Sequence, residues 1–162
     1  MEAHAHLPRP RAQEGLDPQE AGVGLSRAVR HHEVAAGIVW DGERVLVARR
    51  ADADHQGGRW EFPGGKRHGH ETIEQCLRRE MLEEVGLEVE VGTLWRALTH
   101  VYPDRTVTLY FHLCRSRGGT PRPIECAEVR WILPGSLSSL HFVEGDIPIL
   151  GDLARDLVAR AV

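Results

Sequence analysis

Lysine is almost missing from this chain of 162 residues: of 20 basic side chains, Lys66 is the one lysine and the rest are arginine. Cysteine is scarce too. Cys76, Cys114 and Cys126 are odd in number and stand in unlike contexts, which argues against a disulfide framework and for a reducing, cytoplasmic compartment. No apolar run approaches the length of a membrane span, and the N-terminus has no apolar signal core, so no membrane partner is expected. There is no excess of positive charge either. A net charge of −4 excludes the basic footprint of a protein that holds a nucleic-acid polymer, but it is compatible with a free nucleotide. His68, His70 and Cys76 lack a second close ligand pair, which argues against structural zinc. What is present is ordinary for one globular domain with a real core: 41% apolar and 27% charged residues, and no internal repeat.

The most informative stretch is Gly65–Leu87, GKRHGHETIEQCLRREMLEEVGL. Thr72 is placed as an N-cap and Gln75, three residues on, completes a capping box, so a helix is predicted from Ile73. Gly86 is placed to end it. Ile73, Leu77, Met81 and Val85 form an apolar stripe at i+4 spacing, while Glu80, Glu83 and Glu84 gather on another face. Like charges so spaced destabilise an isolated helix by roughly 0.2–0.5 kcal/mol per pair. Clustered carboxylates therefore suggest a hard divalent cation, Mg²⁺ or Mn²⁺, the alternative being a solvated acidic face. Phe62-Pro63-Gly64-Gly65-Lys66 puts a tight turn just before the helix, where backbone can approach a metal or phosphate unobstructed.

Taken in order, residues 1–33 read as a flexible N-terminal extension whose histidines (His4, His6, His31, His32) are solvated, and residues 34–162 as the domain. Val34–Trp40 and Val45–Arg49 are predicted strands, joined at Asp41-Gly42 as a hairpin. Asp52–Gly58 superficially starts like a calcium loop, but its twelfth position is Pro63 where glutamate is needed. Arg67 after Gly65-Lys66 likewise excludes a phosphate-binding P-loop, which needs serine or threonine there. Strands follow at Leu87–Leu98, Thr106–Cys114 and Val129–Leu133, with a turn at Pro103-Asp104 and a loop over Ser116–Pro123. Leu137–Leu140 reads as a helical turn and Ile147–Ala159 as a terminal amphipathic helix. The expected class is α+β in the order β-β-β-α-β-β-β-α.

The spacing G-x5-E-x7-R-E-U-x-E-E-x-G-U, with U apolar, is filled by Gly65, Glu71, Arg79, Glu80, Met81, Glu83, Glu84, Gly86 and Leu87. It resembles the Nudix box. The block from Val45 to Phe111, with ARRADADH, WEFPGGK, YPDR and VTLYF, is similar to the MutT branch of the Nudix hydrolases, and the likeness runs over about Val34–Leu157. The resemblance implies a Nudix fold, a mixed curved sheet flanked by the box helix and a C-terminal helix as an α/β/α sandwich. It also implies Mg²⁺-dependent cleavage of a nucleoside triphosphate such as 8-oxo-dGTP to the monophosphate and pyrophosphate.

Residue by residue, it implies Glu80, Glu83, Glu84 and the Gly64 carbonyl as metal ligands, and Glu71 with Arg79 as the pair that orients them. Glu125, or Glu128 as its rival, would take the proton of the attacking water. Arg50 and Lys66 would meet phosphate oxygens, the alternative being surface cations. Phe62 and Tyr102 would face the base, the alternative being core packing, with His55, Asp104 and Arg105 flanking it. Asp146 stands where the best-known MutT sequences read 8-oxoguanine with an asparagine, and Asp146-Ile147-Pro148 is similar to the CTP pyrophosphohydrolases instead. A pyrimidine triphosphate is thus the alternative substrate, and a non-catalytic nucleotide-binding module the alternative class. Monomer and homodimer stay open.

Overall fold

The structure, a computed structural model, describes residues 29–161. The expectations for residues 1–28, among them His4, His6 and most of the proposed extension, lie outside the described residues. Seven strands and two helices follow: β1 Arg30–Val39, β2 Val45–Arg49, β3 Trp60–Glu61, β4 Gly64–Lys66, α1 Ile73–Val85, β5 Glu88–Val101, β6 Arg105–Gly118, β7 Glu128–Ile132 and α2 Leu150–Arg160. Short 3₁₀ segments at Pro134–Ser139 and Ile147–Ile149 lead into α2. The strands form a four-stranded sheet, β4-β1-β6-β5, and a three-stranded sheet, β3-β2-β7. β1 runs parallel to β6 and the other pairs are antiparallel, so the architecture is mixed.

Alternation along the central strands explains the layers. Ala36 and Ile38 of β1, with Val45 and Val47 of β2, join a core that includes Leu153 and Leu157 of α2. Their neighbours Ala35, Val39, Leu46 and Ala48 face the other way, onto Cys76, Leu77, Met81 and Val85 of α1. Strands buried on both faces need cover on both, hence the α/β/α sandwich. Leu77 and Met81 are fully buried, and burial of such a side chain contributes about 1.5–3 kcal/mol. Three register shifts between β5 and β6, at Glu88/Val89, Val91/Leu94 and Leu94/Arg96, bend the long pair.

Helix α1 begins and ends where its local signals lie. Thr72 accepts from the Gln75 amide while the Gln75 side chain accepts from the Thr72 amide, and Gly86 closes the helix at φ 65°.

Five details differ from the sequence reading. The Asp41-Gly42 turn forms, with Asp41 Oδ1 accepting from the amides of Glu43 and Arg44, but it does not make a hairpin. Both edges of β1 are taken, by β4 and β6, and β2 joins the other sheet, so only the isolated pair Trp40–Val45 links the two. Two short strands, β3 and β4, precede α1 where the predicted order had one. β6 continues to Gly118, into the expected loop, because β5 pairs with it that far. The terminal helix starts as a 3₁₀ turn at Ile147, and its α-helical part begins at Leu150. Finally, β1 starts at Arg30, so His31 and His32 are strand residues and not a solvated tail. The His31 ring lies 2.8 Å from Thr108 Oγ1, across the β1–β6 pair.

Candidate active site

Arg79 is the hub of the acidic end. Its guanidinium donates to both oxygens of Glu71, at 3.0 and 2.6 Å, to Glu80 at 2.8 Å, to Glu83 at 3.1 Å and to the Lys66 carbonyl at 3.2 Å. These bonds pull the Glu71 carboxyl down to about 2 and keep Arg79 firmly charged. Part of the repulsion along the helix is thus offset from within the chain, which the spacing alone did not reveal. Glu84 is turned away from that network. Its Oε2 accepts from the Gly64 amide at 3.0 Å, and the residue is only 7% exposed. Burial, with Glu61 as a like charge nearby, raises its carboxyl to about 8. Glu80 is raised as well, first by burial.

Two glycines make room for this. A Cβ on Gly64 would run into the Ala35 carbonyl, and one on Gly65 would stand 2.5 and 2.6 Å from the Glu80 carboxylate oxygens. The turn before α1 therefore lets backbone lie directly against the acids. Among the described residues, no three acid, histidine or cysteine side chains stand as a ready cation cage, because Arg79 holds Glu80 and Glu83 while Gly64 holds Glu84. The donor set still suits a hard divalent cation. Three carboxylates share one helical turn, and among the described residues the buried Glu84 forms no ion pair, the Arg50 charge offsetting its burial only in part.

Behind Gly64 opens a cavity of about 840 Å³. Of the residues expected at the nucleotide, Arg50, His55, Phe62, Lys66, Tyr102, Arg105 and Asp146 line it, as do Gly64 and Gly65. Asp104 does not. Its carboxylate is 70% exposed and pairs with Arg105 at 2.9 Å, whose guanidinium lies 5.2 Å from the Tyr102 ring centroid. Phe62 is 3% exposed and packs on Phe111 and Phe142, so it serves the core and the cavity wall together. Asp146 is buried, accepts from the Phe62 amide at 3.0 Å, and is raised to about 7 by burial.

Glu125 is exposed and outside the cavity wall, yet its amide donates to the Glu84 carbonyl at 3.1 Å, alongside that of Ile124 at 3.0 Å. The loop carrying Glu125 thereby caps the end of the acid-bearing helix. The rival, Glu128, is held by Arg130 and by Arg49 and is lowered, chiefly by the Arg130 hydrogen bond, which suits an ion-pair partner better than a base.

Sequence reasoning missed Glu61, His32, Gln56 and His100, all lining the same cavity. Glu61 pairs with Arg50 at 3.0 Å and is raised by burial. A lone acid between Trp60 and Phe62, both core residues, was a readable signal for it. Gln56, with φ 54°, accepts from the Glu144 amide at 2.9 Å and ties the loop over residues 51–59 to the Asp146 segment. The histidines carried no such signal, since strand register alone brings them to the cavity.

Residues 35–151 match the family model described as NUDIX domain. The chain is 33% identical over 124 residues to an 8-oxo-dGTP diphosphatase of Escherichia coli K12, covering 76% of this chain and 96% of that one. It is 31% identical over 118 residues to the CTP pyrophosphohydrolase of the same organism, covering 73% and 87%. Its fold is similar to the solution structure of the E. coli ORF135 protein, with a TM-score of 0.70, 29% identity, and coverage of 85% and 98%.

Proposed function

The chain belongs to the Nudix hydrolases, on their MutT-like side, and from that premise we propose that it is a Mg²⁺-dependent pyrophosphohydrolase of nucleoside triphosphates with 8-oxo-dGTP as its preferred substrate. The observation that carries this reading is the junction at Gly64, whose amide holds the Glu84 carboxylate and whose backbone also lines the cavity. A nucleotide with its base in the cavity has its phosphates at the acid-bearing turn.

A polyphosphate repels nucleophiles by its charge, so the site must neutralise it and place one water in line. A divalent cation on Glu80, Glu83, Glu84 and the Gly64 carbonyl, Mg²⁺ or in its place Mn²⁺, would supply much of that neutralisation. The chain's own residues do the rest. Arg79, anchored by Glu71, fixes Glu80 and Glu83. Arg50, steadied by Glu61, and Lys66 bind phosphate oxygens. Glu125 takes the proton of the attacking water, its loop being fastened to the Glu84 carbonyl. Tyr102, backed by Arg105 and Asp104, offers the base a flat face, His55 closes the rim with Phe62 behind it, and Asp146 meets the base edge.

One observation favours a second substrate. As a carboxylate, Asp146 only accepts, which suits the exocyclic amine of cytosine, and the CTP pyrophosphohydrolase is among the relatives. Protonated, as its raised value permits near neutrality, it can also donate to a purine O6. Comparing kcat/KM for 8-oxo-dGTP, dGTP, CTP and 5-hydroxy-dCTP with Mg²⁺, and identifying the products, tests the proposal. Pyrophosphate plus monophosphate, with 8-oxo-dGTP foremost, is expected. Release of orthophosphate and a diphosphate would move the attack site, and preference for CTP would select the second substrate.

A further inference from the structure

Among the described residues, two buried side-chain polar atoms have no hydrogen-bond partner, Arg50 Nε and His100 Nε2, and both residues line the cavity behind Gly64. A buried unsatisfied nitrogen costs on the order of 1–3 kcal/mol, so each marks a place where a ligand can supply what the fold leaves out. Arg50 already belongs to the phosphate end of the proposed site. His100 does not.

Strand register shows what it faces. Val107 of β6 pairs with His32 of β1 on one side and with His100 of β5 on the other. The two histidines thus flank Val107 in one row across the sheet, about 10 Å apart in backbone terms, and all three residues line the cavity. The next row on this face is Val34, Leu109 and Leu98. Gly145 lies over it, since a Cβ there would stand 3.0 Å from Leu109 Cδ1. Asp146, the next residue, lines the same cavity with its carboxylate on the Phe62 amide, and the Leu109 row lies one pleat repeat, about 7 Å, along the sheet from the row of His100. The floor between them is apolar. A planar base resting on Val107 and Leu109 with one edge at Asp146 reaches His100 when it is two rings wide.

We propose that His100 Nε2 hydrogen-bonds the five-membered-ring edge of a bound purine, making His100 a specificity-determining residue that favours purine over pyrimidine nucleotides. This inference rests on the reading of the cavity as the nucleotide site. Imidazole suits either chemistry of that edge. One tautomer donates to N7 of an ordinary purine or to O8 of an oxidised one, and the other accepts from the N7–H that oxidation creates. A single-ring base touching Asp146 leaves His100 unmet.

Binding of dGMP, 8-oxo-dGMP, 7-deaza-dGMP and dCMP to the full chain in Mg²⁺-free buffer, measured calorimetrically, tests this apart from turnover. His100→Phe keeps a ring and removes the nitrogen, and His100→Gln restores a polar group. For His100→Phe we expect affinity for dGMP and 8-oxo-dGMP to fall about tenfold, and that for dCMP to change less than twofold. His100→Gln should recover purine binding to within about threefold. With wild-type protein, 7-deaza-dGMP should bind about tenfold more weakly than dGMP, a deficit that His100→Phe does not deepen. That ligand keeps the test available if the Phe variant misfolds. Equal losses for purines and dCMP, no loss at all, or a wild type that does not distinguish purines from dCMP would overturn the inference. If 8-oxo-dGTP is not hydrolysed while purine binding depends on His100, the proposed function fails and this inference stands. If hydrolysis holds and the purine preference ignores His100, the reverse is true.

Discussion

The acid-bearing turn and the cavity that opens beside it are built in opposite ways. At the acid-bearing turn the side chains come from neighbours in sequence, Gly64 to Glu84, and hold one another: Arg79 reaches three carboxylates and Gly64 holds a fourth. In the cavity, at the proposed base site, the wall is assembled from β1, β5, β6 and the segment before α2, and among the described residues a ring nitrogen, His100 Nε2, is left without a partner. On the reading proposed above, the acid-bearing turn stands before substrate arrives, and substrate completes the cavity at His100 and at Arg50, whose Nε is also unpartnered among the described residues. Such a division would let the phosphate chemistry stay constant while residues scattered over several strands decide which base is accepted.

Four effects would break or sharpen this contrast. The largest effect is expected for Glu84→Gln, for which kcat/KM should fall on the order of 10³-fold or more with the fold intact, since the amide cannot supply the charge. Near-normal turnover would remove Glu84 from the proposed metal site. Gly65→Ala should follow, with a loss of about 10²-fold, because its Cβ would displace the Glu80 carboxylate. The change falls on the end of a flexible side chain, so circular dichroism melts should move little.

Third is a pH effect. The Glu84 carboxyl is raised from 4.5 to about 8 in the folded protein. Between those values the folded form keeps the proton and the unfolded form loses it, so this group's contribution to stability is full below about 4.5 and is lost as pH rises through about 8. Cation-free protein should therefore melt lower at pH 8 than at pH 5 by a margin that Glu84→Gln reduces. Mg²⁺ binding at pH 7 should release protons, detectable as a dependence of binding enthalpy on buffer ionisation. An enthalpy independent of buffer would mean that Glu84 is already ionised. The smallest effect, at the base end, is expected for Asp146→Asn: the ratio of 8-oxo-dGTP to dGTP hydrolysis should change by about three- to tenfold with kcat nearly kept. An unchanged ratio would place Asp146 away from the base.

The contrast also explains what could be read in advance. Helix α1 was legible to the residue because its signals are local: Thr72 and Gln75 at one end, Gly86 at the other. The box carboxylates came with it, being one turn apart. Arg79 was legible as the partner of Glu71, though not as a bridge to Glu80 and Glu83, since side-chain reach decides that. The Asp41-Gly42 turn was read correctly and its consequence was not, because β1 finds its neighbours, β4 and β6, far along the chain. His32 and His100 stand 68 positions apart in sequence and flank Val107 only through the registers of two strand pairs. No spacing rule within either strand could have found them.

The parallel pairing of Arg30 with Arg105 leads the polypeptide into the domain beside Tyr102 and Arg105, two positions ahead of a cavity-lining histidine. A purification tag or fusion partner spliced on close to Val29 would thus emerge beside the cavity proposed above as the nucleotide site. Kinetic constants from tagged and cleaved protein should be compared before either is attributed to the nucleotide.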